Sequence, residues 1–233
     1  VQNLNLQPTA VGRYLPGKSK TRMSGFQNII FDFGNVLFHL DLGATERRLR
    51  HLLGDDRFEA ARARLRAADV FNRYETGALS TEAFIASIRK ATEPALTEAE
   101  VLDAWNAIFI EMPAEYFDLL ERLRERYRVF LLSNINDLHA RWIDQYMAEK
   151  HQRSDFRQRY FDAVYYSHEV GLRKPDERIY SYVLQDAGLR PEETVFIDDL
   201  EVNVRAAESV GIRGIIKTPD MDTAQLMRAF LSH

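Results

Sequence analysis

No cysteine occurs in the 233 residues. Disulfides, thiolate metal sites and a cysteine nucleophile are therefore excluded. No apolar run approaches the ~18 residues that a membrane-spanning helix requires. Positive charge is not in excess either. The 31 Lys and Arg against 35 Asp and Glu leave a formal net charge of −4, which gives no footprint for non-specific binding to nucleic acid. What remains is the profile of a soluble globular chain, 45% hydrophobic, 28% charged and 11% aromatic, which rules out a disordered or a fibrous protein. The length favours one main domain with a modest insert. A reducing cytoplasm suits a chain without cysteine, and a cytoplasmic location is the expectation.

Residues 1–24 differ from the rest. They carry Arg13, Lys18, Lys20 and Arg22 but no acid, so this stretch is +4 and the remainder −8. Pro8, Gly12, Pro16 and Gly17 interrupt it, and its apolar residues follow no helical or strand period. No apolar stretch of ~7–15 residues follows the charges, so it does not read as a secretory signal. The expectation is a disordered or loosely draped tail, with Met23 a candidate natural start. Gly12-Arg-Tyr-Leu-Pro-Gly17-Lys18-Ser19 formally matches a phosphate loop. That chemistry needs a buried strand before the loop and a helix after it. The flanking residues suit neither, so the match reads as chance.

From Asn28 the pattern sharpens. Ile29-Ile30-Phe31 is a short apolar run ending in Asp32, which predicts a buried strand with a polar carboxyl end. Residues 44–109 read as helical throughout, with no strand. Thr97-Glu-Ala-Glu100 is a capping box, and Ser80 caps a helix whose apolar set is Phe84, Ile85 and Ile88. So long a helical stretch is more than a connection, and it is a candidate cap. Beyond Pro113 helices and strands alternate. Helices are expected over 114–127, 137–147, 176–187, 199–211 and 223–231, and strands over 129–132, 163–166, 194–197 and 214–217. The charge-dense stretch 149–159 reads as a solvated face. Alternation predicts a three-layer, Rossmann-like α/β fold with a parallel sheet. Ligands in such sheets bind beyond the carboxyl ends of the strands. Here those ends supply Asp32, Ser133, Asn134, Asp198 and Asp199. Three carboxylates with a nearby Lys174 suit an oxygen-seeking cation such as Mg²⁺.

These residues resemble the haloacid dehalogenase (HAD) superfamily from Gln27 to Leu231. Four motifs occur in order: Ile29-Ile-Phe-Asp32-Phe-Gly34-Asn35, Leu131-Leu132-Ser133-Asn134, Gly171-Leu-Arg-Lys174-Pro175-Asp176, and Phe196-Ile-Asp198-Asp199 with Asn203 beyond. The resemblance implies a core domain over 25–39 and 113–233, its first strand central, and a helical cap over 40–112 whose closure excludes water and selects substrate. It implies a Mg²⁺-dependent phosphatase acting on a small phosphorylated metabolite. Asp32 would be the nucleophile, forming an aspartyl-phosphate. Mg²⁺ would be held by Asp32, Asp199 and the Gly34 carbonyl. Ser133 and the N–H of Asn134 would bind the transferring oxygens, Lys174 would oppose their charge, and Asp198 and Asn203 would stand behind Lys174 and the water at the metal. Asn35 is a further candidate for the substrate side.

One position departs from that pattern. Most phosphatases of the superfamily carry a second aspartate two residues after the nucleophile, as general acid and base, and here Gly34 stands there. Such help is worth ~10²–10⁴-fold. Asn35, His39 or water could stand in, or the leaving group could need little protonation. A sugar 1-phosphate fits the second case, because an anomeric hydroxyl is a comparatively acidic leaving group. Two alternatives remain open on the sequence: a 2-haloacid dehalogenase, against which the Asp198-Asp199 pair counts, and a phosphate-binding or regulatory protein of little activity. His139, His151 and His168 follow no metal-ligand spacing and read as surface or structural. Trp105 and Phe109 read as the apolar side of a cap helix, and Arg73 and Tyr74 could point from the cap toward the site. Oligomeric state is not legible.

Overall fold

The computed structural model describes residues 25–93 and 95–232. The basic tail and the phosphate-loop match at 12–19 lie outside the described residues. The first half of the chain forms β1 (Asn28–Phe31), β2 (His39–Leu40), α1 (Ala44–Leu53), α2 (Asp55–Ala67), α3 (Val70–Glu75), α4 (Thr81–Ala91), α5 (Glu98–Asn106), β3 (Phe109–Glu111) and α6 (Glu115–Arg124). Then follow β4 (Arg128–Ser133), α7 (Asp137–His151), α8 (Phe156–Tyr160), β5 (Ala163–Tyr166), α9 (Ser167–Val170), α10 (Glu177–Asp186), β6 (Thr194–Asp198), α11 (Glu201–Ser209), β7 (Arg213–Ile216) and α12 (Thr223–Leu231).

Each of the five predicted strands joins one parallel sheet of order β5-β4-β1-β6-β7, with the first strand in the middle. Alternation along each strand sends side chains to opposite faces. Ile29, Phe31, Val129, Leu131, Val195 and Ile197 meet α6, α7 and α12 on one face. Ile30, Phe130, Leu132 and Phe196 meet α10 and α11 on the other. Both faces are thus covered, which makes three layers and explains why the strands read as continuous apolar runs.

The helical stretch is confirmed with one correction. Phe109 is not on a helix: it opens β3, which pairs antiparallel with β2, and the main-chain N–H of Asp41 donates to Ile108 to extend the ribbon. Two and three residues are too few to show a period of two in a sequence. Between these strands α1–α5 enclose their own apolar cluster, including Phe58, Phe84, Ile88 and Val101. The Ser80 cap and the Thr97–Glu100 capping box form as the sequence predicts. A second correction falls at 149–159. Phe156 and Tyr160 are buried in the main core, while Arg157 and Arg159 fold over the rings of Tyr166 and Tyr160. Charge in that stretch is the outer surface of buried aromatics.

Candidate active site

Parallel pairing aligns the carboxyl ends of β1, β4 and β6. Phe31 is in register with Leu131 on one side and Ile197 on the other, so Asp32 comes level with Asp198 and one residue short of Ser133. Lys174 arrives from the loop before α10. Its backbone is pinned by the Asn134 amide, whose Oδ1 accepts the Lys174 N–H at 2.8 Å and whose Nδ2 donates to the Lys174 carbonyl at 2.8 Å. That places the ammonium 2.7 Å from Asp32 Oδ1 and 2.6 Å from Asp198 Oδ2, with the lysine side chain 1% exposed.

The two adjacent acids differ in what they have left to offer. Asp198 is saturated: its oxygens accept Lys174, the Leu200 N–H at 2.8 Å and the Asn203 amide at 3.0 Å. Among the described residues Asp199 accepts the Asn35 amide, at 3.1 Å, and its own N–H, and so retains capacity for a further ligand. Asn35 adopts a left-handed conformation (φ 53°), and its Oδ1 accepts the Leu40 N–H at 3.2 Å. The Ser133 hydroxyl has no hydrogen-bond partner among the described residues and faces the same cavity. Asn134 is there too, but its amide is spent on Lys174.

Asp32, Asp198 and Asp199 each bring a carboxylate oxygen within 4.8 Å of the others. Burial raises the pKa of Asp32 to about 7, Lys174 opposes that rise, and Asp198 adds to it. Burial also raises Asp199, against the hydrogen bond from Asn35. Lys174 pays a burial penalty, but the two carboxylates outweigh it and hold the ammonium above its usual pKa. With the carboxylates ionised the cluster carries two more negative than positive charges. An all-oxygen donor set with that imbalance fits a divalent hard cation. Gly34, whose carbonyl accepts no hydrogen bond among the described residues, lines the same space.

The cavity over these groups measures about 170 Å³, and its far wall is Leu40, Leu42, Ile108, Phe109, Ile135 and Leu200. It also includes His139, which the sequence does not mark as part of the site. His139 Nε2 lies 3.0 Å from the Trp105 carbonyl, and Nδ1 lies 3.2 Å from the Asn136 amide nitrogen. A carbonyl only accepts and an amide nitrogen only donates, so the ring is the neutral Nε2–H tautomer. Burial lowers its pKa to about 4. The available signal is Asn136 as N-cap of α7, which fixes the residue three places on toward the strand ends. Neither of the suggested substitutes for the missing acid is free: Asn35 is committed on both amide atoms, and His39 is exposed on β2, outside the cavity lining. Tyr74 is core, donating or accepting at Thr81 and accepting from the Leu138 N–H, while Arg73 is exposed.

Residues 26–211 match the haloacid dehalogenase-like hydrolases. The chain belongs to that family. Within it, a D-ribitol-5-phosphate phosphatase of Bacteroides thetaiotaomicron is 29% identical over 188 residues, covering 79% of this chain and 88% of that protein. A sesquiterpene phosphatase of Aspergillus oryzae is 26% identical over 87% of this chain and 95% of its own. A crystal structure of a haloacid dehalogenase family enzyme from Bacteroides thetaiotaomicron, in complex with magnesium and inorganic phosphate, superposes with TM-score 0.77 at 30% identity, covering 87% of this chain and 99% of that one.

Proposed function

We propose that this hydrolase is a Mg²⁺-dependent phosphomonoesterase that works through an aspartyl-phosphate on Asp32 and acts on a small phosphorylated metabolite. The observation that carries the reading is the pairing of committed and uncommitted atoms around one cavity. Asp32 is steered by Lys174 and the Phe33 main chain, while the Ser133 hydroxyl and the Asp199 carboxylate retain capacity for a further ligand. The relatives named for phosphatase activity, and the magnesium–phosphate complex, support the same reaction class.

Asp32, Asp199 and the Gly34 carbonyl would hold Mg²⁺, which supplies charge neutralisation between an anionic nucleophile and an anionic ester. Asp32 attacks phosphorus as the bond to the leaving oxygen breaks. Ser133 and the Asn134 N–H donate to the transferring oxygens, and Lys174 opposes their charge. Asp198, held by Asn203, keeps Lys174 in place. Water then attacks phosphorus, the aspartyl P–O bond breaks, and phosphate leaves with Asp32 restored. With Ser133 and Lys174 turned to the transferring oxygens, the leaving oxygen takes its proton from water. The Asp199 oxygen weighs against the dehalogenase reading, which has no use for it.

The test is phosphate release from a panel of sugar, polyol, aryl and alkyl phosphates, with Mg²⁺ or EDTA. Release that requires Mg²⁺ and falls at least ~10³-fold in Asp32→Asn is the expected result. Release that persists in EDTA or in the variant, or none on any ester, overturns the proposal.

A further inference from the structure

Most of the amide and imidazole nitrogens that line the cavity are already committed. Asn35 is bonded to Asp199 and Leu40, Asn134 to Lys174, Asn203 to Asp198, and both nitrogens of His139 are taken. Even the direction a side chain would take from Gly34 is filled with hydrocarbon, since an ideal Cβ there would lie 2.7 Å from Leu40 Cδ1. A polyol or sugar would lose its water against such a wall and find few uncommitted side-chain partners among the described residues in return, a costly exchange.

The apolar surface continues outward. Leu42 and Leu200 stand at the mouth of the cavity with 66% and 52% of their surface exposed, although both are large and hydrophobic. Leu42 also lines a second, larger cavity of about 260 Å³ inside the helical insert. That space is walled by Leu49, Phe58, Ala61, Leu65, Phe71 and Trp105. The partition between the two cavities is thin. The Trp105 ring stacks on His139 with centroids 5.3 Å apart, one residue facing each side. Three charged residues border the outer cavity: Glu46 and Arg62 are paired with each other and with Arg50 and Glu59, while Arg66 is exposed at its edge. Two adjoining apolar cavities, reached past one exposed leucine, form a receptacle for a hydrocarbon whose phosphate end lies at Asp32.

We infer that the substrate is an amphipathic phosphomonoester, the phosphate of an apolar alcohol, whose hydrocarbon part passes Leu42 into the cavity enclosed by the helices. This inference rests on the phosphatase reading and names its substrate class. The apolar alcohol is bound by burial against the leucines and aromatic rings that line both cavities.

The experiment measures kcat/KM for n-alkyl phosphates from ethyl to octyl, below their micelle concentrations, beside ribitol 5-phosphate and glucose 1-phosphate. Each added methylene that reaches apolar surface is expected to raise kcat/KM about fourfold. The octyl-to-ethyl ratio should exceed 100 and should fall at least tenfold in Ala61→Phe, which fills the insert cavity. Should that variant not fold, binding of octylphosphonate to the wild-type Mg²⁺ enzyme gives an independent readout, because it should change the fluorescence of Trp105 and lose that change in Trp105→Phe. A flat series, a ratio unaltered by Ala61→Phe, no Trp105 response, or faster turnover of ribitol or glucose phosphate than of octyl phosphate overturns the inference. Each of those leaves the phosphatase reading standing, whereas silence on every ester sinks that reading first.

Discussion

Lys174 is a buried ammonium between two buried carboxylates, so its energetic role is set by what its removal exposes. Lys174→Met would leave Asp32 and Asp198 facing each other without a counter-charge. Breaking such an arrangement costs about 3–5 kcal/mol. We expect a loss of that size in urea unfolding of Lys174→Met without metal, and partial recovery in the double variant with Asp32→Asn. The positions of Asp32, Ser133 and Asp198 are legible in the sequence because each ends an apolar run, and parallel pairing brings such ends together. The commitments of Asn134 and His139 are not legible. Asn134 bonds to a residue 40 positions away and His139 Nε2 to one 34 away, so no local period records those contacts, and only the Asn136 cap marks His139 locally.

Among the elements, the long helices and the five main strands follow from periodicity and caps, whereas β2, β3 and α8 are too short or too charged to announce themselves. The seam between the insert and the sheet layer is equally silent, yet it is heavily built. The Ser167 hydroxyl donates to the Glu75 carbonyl at 2.7 Å, Arg173 pairs with Glu75 at 3.0 Å, and Thr81 donates to Asp137 at 2.6 Å. Gly77 lies in this seam with φ 69°, and a Cβ there would sit 2.2 Å from the His168 carbonyl oxygen. A backbone atom cannot step aside cheaply, so Gly77→Ala should destabilise the fold by roughly 2–4 kcal/mol. The denaturation midpoint measures the loss. Hydrogen exchange should show α3 and α9 opening first, and a wild-type midpoint would refute this account of the seam.

The whole molecule depends on pH through the joint where α5 meets α7. His139 is neutral when folded, with its pKa depressed to about 4, and should return to its ordinary 6.5 when unfolded. The unfolded chain then binds a proton that the folded chain refuses. Stability from this group is fully present above pH ~6.5 and is lost as pH falls toward 4, with a loss of about 2 kcal/mol already at pH 5. Unfolding free energies at pH 7 and 5 should show the drop, and it should shrink by that amount in His139→Gln. The helices on the far side of this joint are attached to the sheet by only two chain crossings, and both run through the β2–β3 ribbon, where His39 pairs with Glu111. The ends of the inserted segment are therefore neighbours. Such a segment is built like a cassette: it can be lengthened, trimmed or exchanged over evolution while the strand order of the sheet stays untouched.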